Sequence, residues 1–169
     1  MDVDPLGHIL TQVTIWIAMG LWSVAMGFPS GRFRFARWLW TVALISYGAH
    51  IVLAYQHFYD WSHRVAWEAT ALDTKETTGF DSGVGLLVNF AFALLLAIDV
   101  GEQWRHGKRR GTVWVNGLVL FMVLNGAVVF GEGPVRAYGI GLLMVATAGL
   151  VWRRLRARES SAAASSPRP

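Results

Sequence analysis

Residues 82–100 read SGVGLLVNFAFALLLAIDV. Apolar side chains occupy every side of a helix drawn through this run, and the first charge, Asp99, comes only at its end. A helix rises about 1.5 Å per residue and bilayer hydrocarbon is about 30 Å thick, so the run predicts a membrane span completed by its flanks. A barrel strand would instead alternate polar and apolar residues over about ten positions.

Four further runs flank it. Residues 6–28 end at Pro29-Ser30-Gly31, and residues 35–58 follow. Residues 112–130 and 134–152 complete the set, with Pro134 suited to a first helical turn. The last three of the five are short and need interfacial residues to finish the crossing. The expected fold class is all-α: an integral membrane bundle of five transmembrane helices, with a short extracytoplasmic amphipathic helix. One domain, 1–152, holds the spans and an outer loop, 59–81. The segment 153–169 reads as a basic tail that becomes Ser/Ala/Pro-rich, and so disordered, from Ser160. No internal repeat is visible.

Composition agrees. The chain has 169 residues, 54% hydrophobic and 15% charged, against about 25% charged in a soluble domain. Mean hydropathy is +0.39. The absence of cysteine excludes disulfides, thiolate zinc sites and cysteine-ligated clusters.

The net charge of +4 reports topology rather than nucleic-acid binding. Arg32, Arg34 and Arg37 follow the first span; Arg105, Lys108, Arg109 and Arg110 follow the third; the remaining cluster begins at Arg153. Of the 15 basic residues, only Arg64, Lys75 and Arg136 fall on the other side. The positive-inside rule then puts the N-terminus outside and the C-terminus in the cytoplasm. The basic face is expected to attract anionic lipids. The segment before the first span is Met1-Asp2-Val3-Asp4, not basic, so that span is expected to be retained rather than cleaved as a signal. Without organelle targeting signals, a bacterial inner membrane is the expected location.

The outer loop is not a flexible linker. Trp61, Val65, Ala69 and Leu72 recur at helical spacing and predict a helix lying on the membrane, broken at Gly79. Asp81 and Ser82 are candidate caps for the next span.

Polar residues share one depth. His50 lies about 12 Å below the outer end of its span at helical rise. Asn89, Asn125 and Gln12 reach the same layer from three other spans. They read either as a polar pocket open to the outside or as hydrogen bonds holding helices together. Tyr47, Ser46 and Thr14 can join either arrangement.

A second constellation, His57, Asp60 and His63, offers two imidazoles and a carboxylate, a set that suits zinc, copper or iron ions. Positions six apart diverge by roughly 240° on a straight helix, so convergence requires a turn near Asp60. Asp60 reads equally as a helix cap, or as the start of an Asp60–Arg64–Glu68 ladder. Asp73 and Asp81 read as surface or capping carboxylates. Bis-histidine haem is disfavoured, because His50 is deep while its nearest candidate partner, His8, is interfacial. Asp99 is expected near the inner interface, paired with Arg105 or Arg109.

No nucleotide, zinc-protease or serine-hydrolase motif is present. Three function classes remain. The first is an outer-leaflet site for a metal or polar ligand. The second is a non-catalytic accessory subunit of a larger membrane complex. The third is a transporter component, weakened by the missing repeat and requiring homo-oligomers for a path.

Overall fold

The computed structural model describes residues 5–27, 33–107, 112–129 and 133–165. Among them there is no strand. Helix α1 spans Pro5–Gly27 and α2 spans Phe33–His57. The short α3 covers His63–Thr78, and α4 runs Val84–His106. Helix α5, Thr112–Val123, passes directly into a π-helical turn, Leu124–Val129. Helix α6 runs Gly133–Ser165.

Among the described residues, four helices are long and apolar enough to cross a membrane: Pro5–Met26, Arg34–His57, Val84–His106 and Val135–Arg156. The expected span at 112–130 corresponds to a shorter apolar helix, Trp114–Val129. Exposed Leu94, Leu95, Ile98, Met144 and Val145 show that large apolar side chains cover the outside of the bundle as well as its core. Such a surface suits hydrocarbon rather than water.

Two helices are longer than expected. Helix α4 continues past Val100 to His106, so Asp99 lies inside the helix rather than at its end. Helix α6 continues past Trp152 to Ser165, where the sequence suggested disorder from Ser160. Arg154, Leu155 and the Ala162–Ala164 run carry good helix propensity, and no proline interrupts before Pro167. Arg32, Lys108, Arg109, Arg110 and Arg168, with the first four residues, lie outside the described residues.

Hydrocarbon is as apolar as leucine, so close packing and hydrogen bonds must hold such helices together. Helices α1 and α2 pack along each other, and Trp22, Tyr47 and Phe92 meet at the centre of the bundle with ring centroids 5.3–5.4 Å apart. Each such pair adds about 0.5–1.5 kcal/mol beyond area burial. The buried side of α4 follows a three-four spacing through Phe92, Leu96, Asp99 and Gln103. Helix α6 seats Gly139 against the π turn, where a Cβ would fall 2.5 Å from that of Ala127. It reaches α1 through the Tyr138 hydroxyl, which donates to the Trp16 carbonyl at 3.0 Å.

At the end of the bundle away from α3, Asp99 is 8% exposed and Gln103 is 1% exposed. The Gln103 amide donates to Asp99 Oδ2 at 2.7 Å. The longer α4 makes Gln103, one helical turn along, available to Asp99, while Arg109, one of the two arginine partners expected from sequence, lies outside the described residues. Arg37 lies 4.0 Å from the Trp104 ring and donates to the Gln103 carbonyl at 3.4 Å. The Trp104 indole donates to Thr41 Oγ1 at 3.0 Å, closing the α2–α4 contact there.

Candidate ligand-binding cleft

The connection between α2 and α3 sets the geometry at the other end. Asp60 and Trp61 both adopt left-handed backbone, with φ of 45° and 59°. That conformation is costly for side chains of this size and is held by its surroundings. The Trp61 N–H donates to the Tyr55 carbonyl at 2.9 Å, wrapping the chain over the end of α2. Ser62, not Asp60, caps α3: its Oγ accepts from the Val65 N–H at 3.3 Å. Gly79 ends the helix in left-handed backbone, as expected.

Helix α3 meets the bundle through its small and polar side. Its apolar stripe is turned away, with Trp61, Val65 and Leu72 exposed. Ala66 is buried and Thr70 partly so, while Trp67, still 36% exposed, lies along Gly83. The physical reason lies in the chain that α3 covers. A Cβ at Gly83 would fall 2.5 Å from the Trp67 ring, and one at Gly85 would fall 3.2 Å from Thr70 Cγ2. Small residues at the start of α4 let α3 settle close, and its small and polar stripe fits the shallow space. Neither expected residue caps α4, whose N-cap is Gly83 without a side-chain bond. Ser82 accepts from the Val84 N–H at 3.4 Å, while Asp81 pairs with Lys75 at 3.1 Å.

Beneath α3, a cleft of about 420 Å³ lies among α2, α4 and α5. His50, Asn89 and Asn125, three of the four residues expected to share a layer, line it. Ile51, Ala54, Leu86, Phe121 and Met122 supply apolar wall, and Tyr55, Tyr59, Thr70, Asp73 and Thr74 surround the α3 side. Asn125 and Gly126 belong to the π turn, a distortion that recurs at functional sites. A deeper cavity of about 200 Å³ shares His50 and Asn89 and is lined by Trp22, Tyr47 and Phe92.

The polar groups are held in defined roles. The Tyr47 hydroxyl donates to Asn89 Oδ1. His50 Nδ1 lies 2.9 Å from the Thr11 carbonyl, which can only accept, so Nδ1 carries a proton and Nε2 is the acceptor in the neutral ring. The Asn125 amide donates to the Phe121 carbonyl at 3.0 Å. Tyr55 and His63 share a hydrogen bond of 2.9 Å between the hydroxyl and Nδ1. Burial raises the Tyr59 phenol above its ordinary pKa, and the nearby Asp73 carboxylate pushes in the same direction.

Gln12 does not join this layer. Its amide is 2.9 Å from His8 Nε2 on the same helix, an i,i+4 pair on the exposed side of α1. Residues four apart on one helix face each other more readily than side chains on separate helices do.

His57, Asp60 and His63 do not converge either. His57 lies against Gly7 of α1. His63 is turned toward Tyr55, and Asp60 is exposed. The turn required near Asp60 is present, but it sends the two histidines to different neighbours. Among the described residues no three His, Asp or Glu side chains are grouped to hold a metal ion. Arg64 and Glu68 form the expected ion pair at 2.7 Å, without Asp60 as its first member.

Tyr55, Tyr59, Thr70 and Thr74 were missed as site residues, and Asp73 was read only as a surface carboxylate. Their signal was present in the spacing: Thr70 and Thr74 are one turn apart and in line with Ala66. Comparison with protein-family models, curated proteins and solved structures finds no match for this chain.

Proposed function

We propose that this is a five-span membrane protein, with its N-terminus outside and its C-terminus in the cytoplasm, that binds a small amphipathic molecule in a cleft of the outer leaflet. The observation that carries the reading is the union of His50, Asn89 and Asn125, from three helices, in one cleft of about 420 Å³ with largely apolar walls. Ligand sites are commonly concave, mostly apolar and provided with a few convergent polar groups. His50 and Asn89 each join two helices, through Thr11 of α1 and Tyr47 of α2, and Asn125 bonds within its own helix, yet all three also border open volume.

The apolar helix Trp114–Val129 is read as a fifth crossing, because short apolar helices span when interfacial residues flank them. The basic clusters support the orientation, with anionic lipids at the cytoplasmic face and a bacterial inner membrane as the setting. Helix α3 then lies on the outer surface, its exposed Trp61, Val65 and Leu72 toward lipid.

The chain has no cysteine, so single cysteines report sidedness without background. Asp2→Cys, Asp73→Cys and Ser166→Cys would each be treated with a membrane-impermeant maleimide on intact cells. The first two are expected to label from outside, and Ser166→Cys only after permeabilisation. Labelling of Ser166→Cys from outside would leave four crossings and remove the fifth.

A further inference from the structure

The cleft has a chemical polarity of its own. Among its described lining residues, Asp73 is the one that carries a formal charge at neutral pH apart from any protonated His50. The neighbouring cations are engaged elsewhere, Arg64 with Glu68 and Lys75 with Asp81. No ion pair forms at Asp73 among the described residues. A carboxylate at the mouth of an apolar cleft, left without a cation, selects for one.

Aromatic faces stand beside it. Tyr55 is the hub, with ring centroids 5.7 Å from Tyr59 and 6.0 Å from Phe90. All three rings line the cleft. Aromatic faces attract organic cations through their quadrupoles, and a desolvated ammonium gains most from them.

The threonines of α3 add acceptors on the same side. The Thr70 hydroxyl donates to the Ala66 carbonyl at 2.8 Å, and the Thr74 hydroxyl donates to the Thr70 carbonyl at 2.7 Å. Each hydroxyl hydrogen is therefore directed to backbone, and the oxygens keep only acceptor capacity. Amide donors remain deeper in the cleft: Asn125 gives one of its two amide hydrogens to Phe121, and Asn89 uses its oxygen to accept from Tyr47. The side of the cleft nearest α3, with its carboxylate, threonine acceptors and aromatic faces, is complementary to a positive donor or a quaternary ammonium.

We infer that the cleft takes an organic ammonium carrying an apolar tail, with the cation held by Asp73, Tyr55 and Tyr59 and the tail lying along Leu86 and Met122. This rests on the reading of the cleft as a ligand site. The same chemistry is offered by a free lipophilic amine and by a choline-type lipid headgroup.

The test uses the purified full chain in maltoside detergent and labelled decyltrimethylammonium, followed by equilibrium dialysis. Saturable binding is expected, weakened about tenfold in Asp73→Asn and in Tyr59→Leu, the scale of one lost cation contact. Asp73 is exposed on a surface helix, so its substitution leaves the bundle intact. Competition by free choline would support a free amine as the source. Competition by lysophosphatidylcholine but not choline would support a lipid headgroup. Equal competition by lysophosphatidylglycerol, or unchanged affinity in Asp73→Asn, would overturn the ammonium inference. If that tail-driven binding were still abolished by Asn125→Trp, the cleft would stand as a ligand site. Absence of any saturable binding would remove both.

Discussion

The Tyr47 hydroxyl donates to the Asn89 side-chain oxygen, joining the middle of α2 to the N-terminal half of α4. Tyr47 also completes the aromatic cluster with Trp22 and Phe92, while Asn89 borders the cleft. One bond thus ties the packed centre of the bundle to its open end. Tyr47→Phe keeps the ring and removes the donor. It should cost about 0.6–1.7 kcal/mol, the range for hydrogen bonds between membrane helices. Reversible unfolding in detergent would measure it. Adding Asn89→Leu to Tyr47→Phe should cost less than the sum of the two single changes, since both remove the same bond.

Gly139 and Ala127 set how closely α6 approaches the π turn. Gly139→Leu should destabilise the protein by about 1–3 kcal/mol, as overpacking does. Ala127→Gly should recover part of that loss by vacating the space the new side chain needs. Thermal unfolding of the single and double variants would show the rescue. Equal losses in both would argue that the two residues are not in contact.

Much of this arrangement was legible in the sequence, and the parts that were not have physical reasons. The apolar runs fixed helix positions because length and hydropathy suffice to do so. His50, Asn89 and Asn125 were found because equal depth is simple arithmetic on helical rise. Gln12 shared their depth but not their direction, and depth alone does not set rotation about the helix axis. The His57–Asp60–His63 set depended on two consecutive left-handed residues, one of them Trp61, whose conformation no composition rule anticipates. Helix α3 was located by its apolar spacing and by Gly79, but which of its residues would meet the bundle was not legible, because the apolar stripe of a helix expected on a membrane says nothing about its other side.

Tyr59 provides a titration test. Burial and then Asp73 raise its phenol above the ordinary value of about 10. The folded state therefore retains the proton longer than the unfolded state. Stability from this group is present below about pH 10 and falls as pH rises through the folded pKa. The phenolate absorbance lost in Tyr59→Phe, compared with the parent chain, identifies this tyrosine. Asp73→Asn should move its titration downward without restoring the ordinary value, because burial remains.

Ser62 tests the capping of α3. Ser62→Ala removes the acceptor for the Val65 N–H. The expected loss is about 1 kcal/mol of local helix stability. Hydrogen exchange should accelerate at the first turn of α3 while exchange within α4 stays unchanged. Acceleration throughout α4 would show that α3 is coupled to the whole bundle rather than resting on it.

The outward-opening cleft is tested most directly by a cysteine placed inside it. Asn125→Cys, introduced alone into the cysteine-free chain, would be exposed to a small membrane-impermeant thiol reagent on intact cells. Ile98→Cys, on the outside of α4 where the side chain is exposed, serves as the lipid-facing comparison. Rapid labelling of Asn125→Cys with none at Ile98→Cys is the expected result. No labelling at Asn125→Cys in a folded protein, or equal labelling at both positions, would contradict a water-accessible cleft in the outer leaflet.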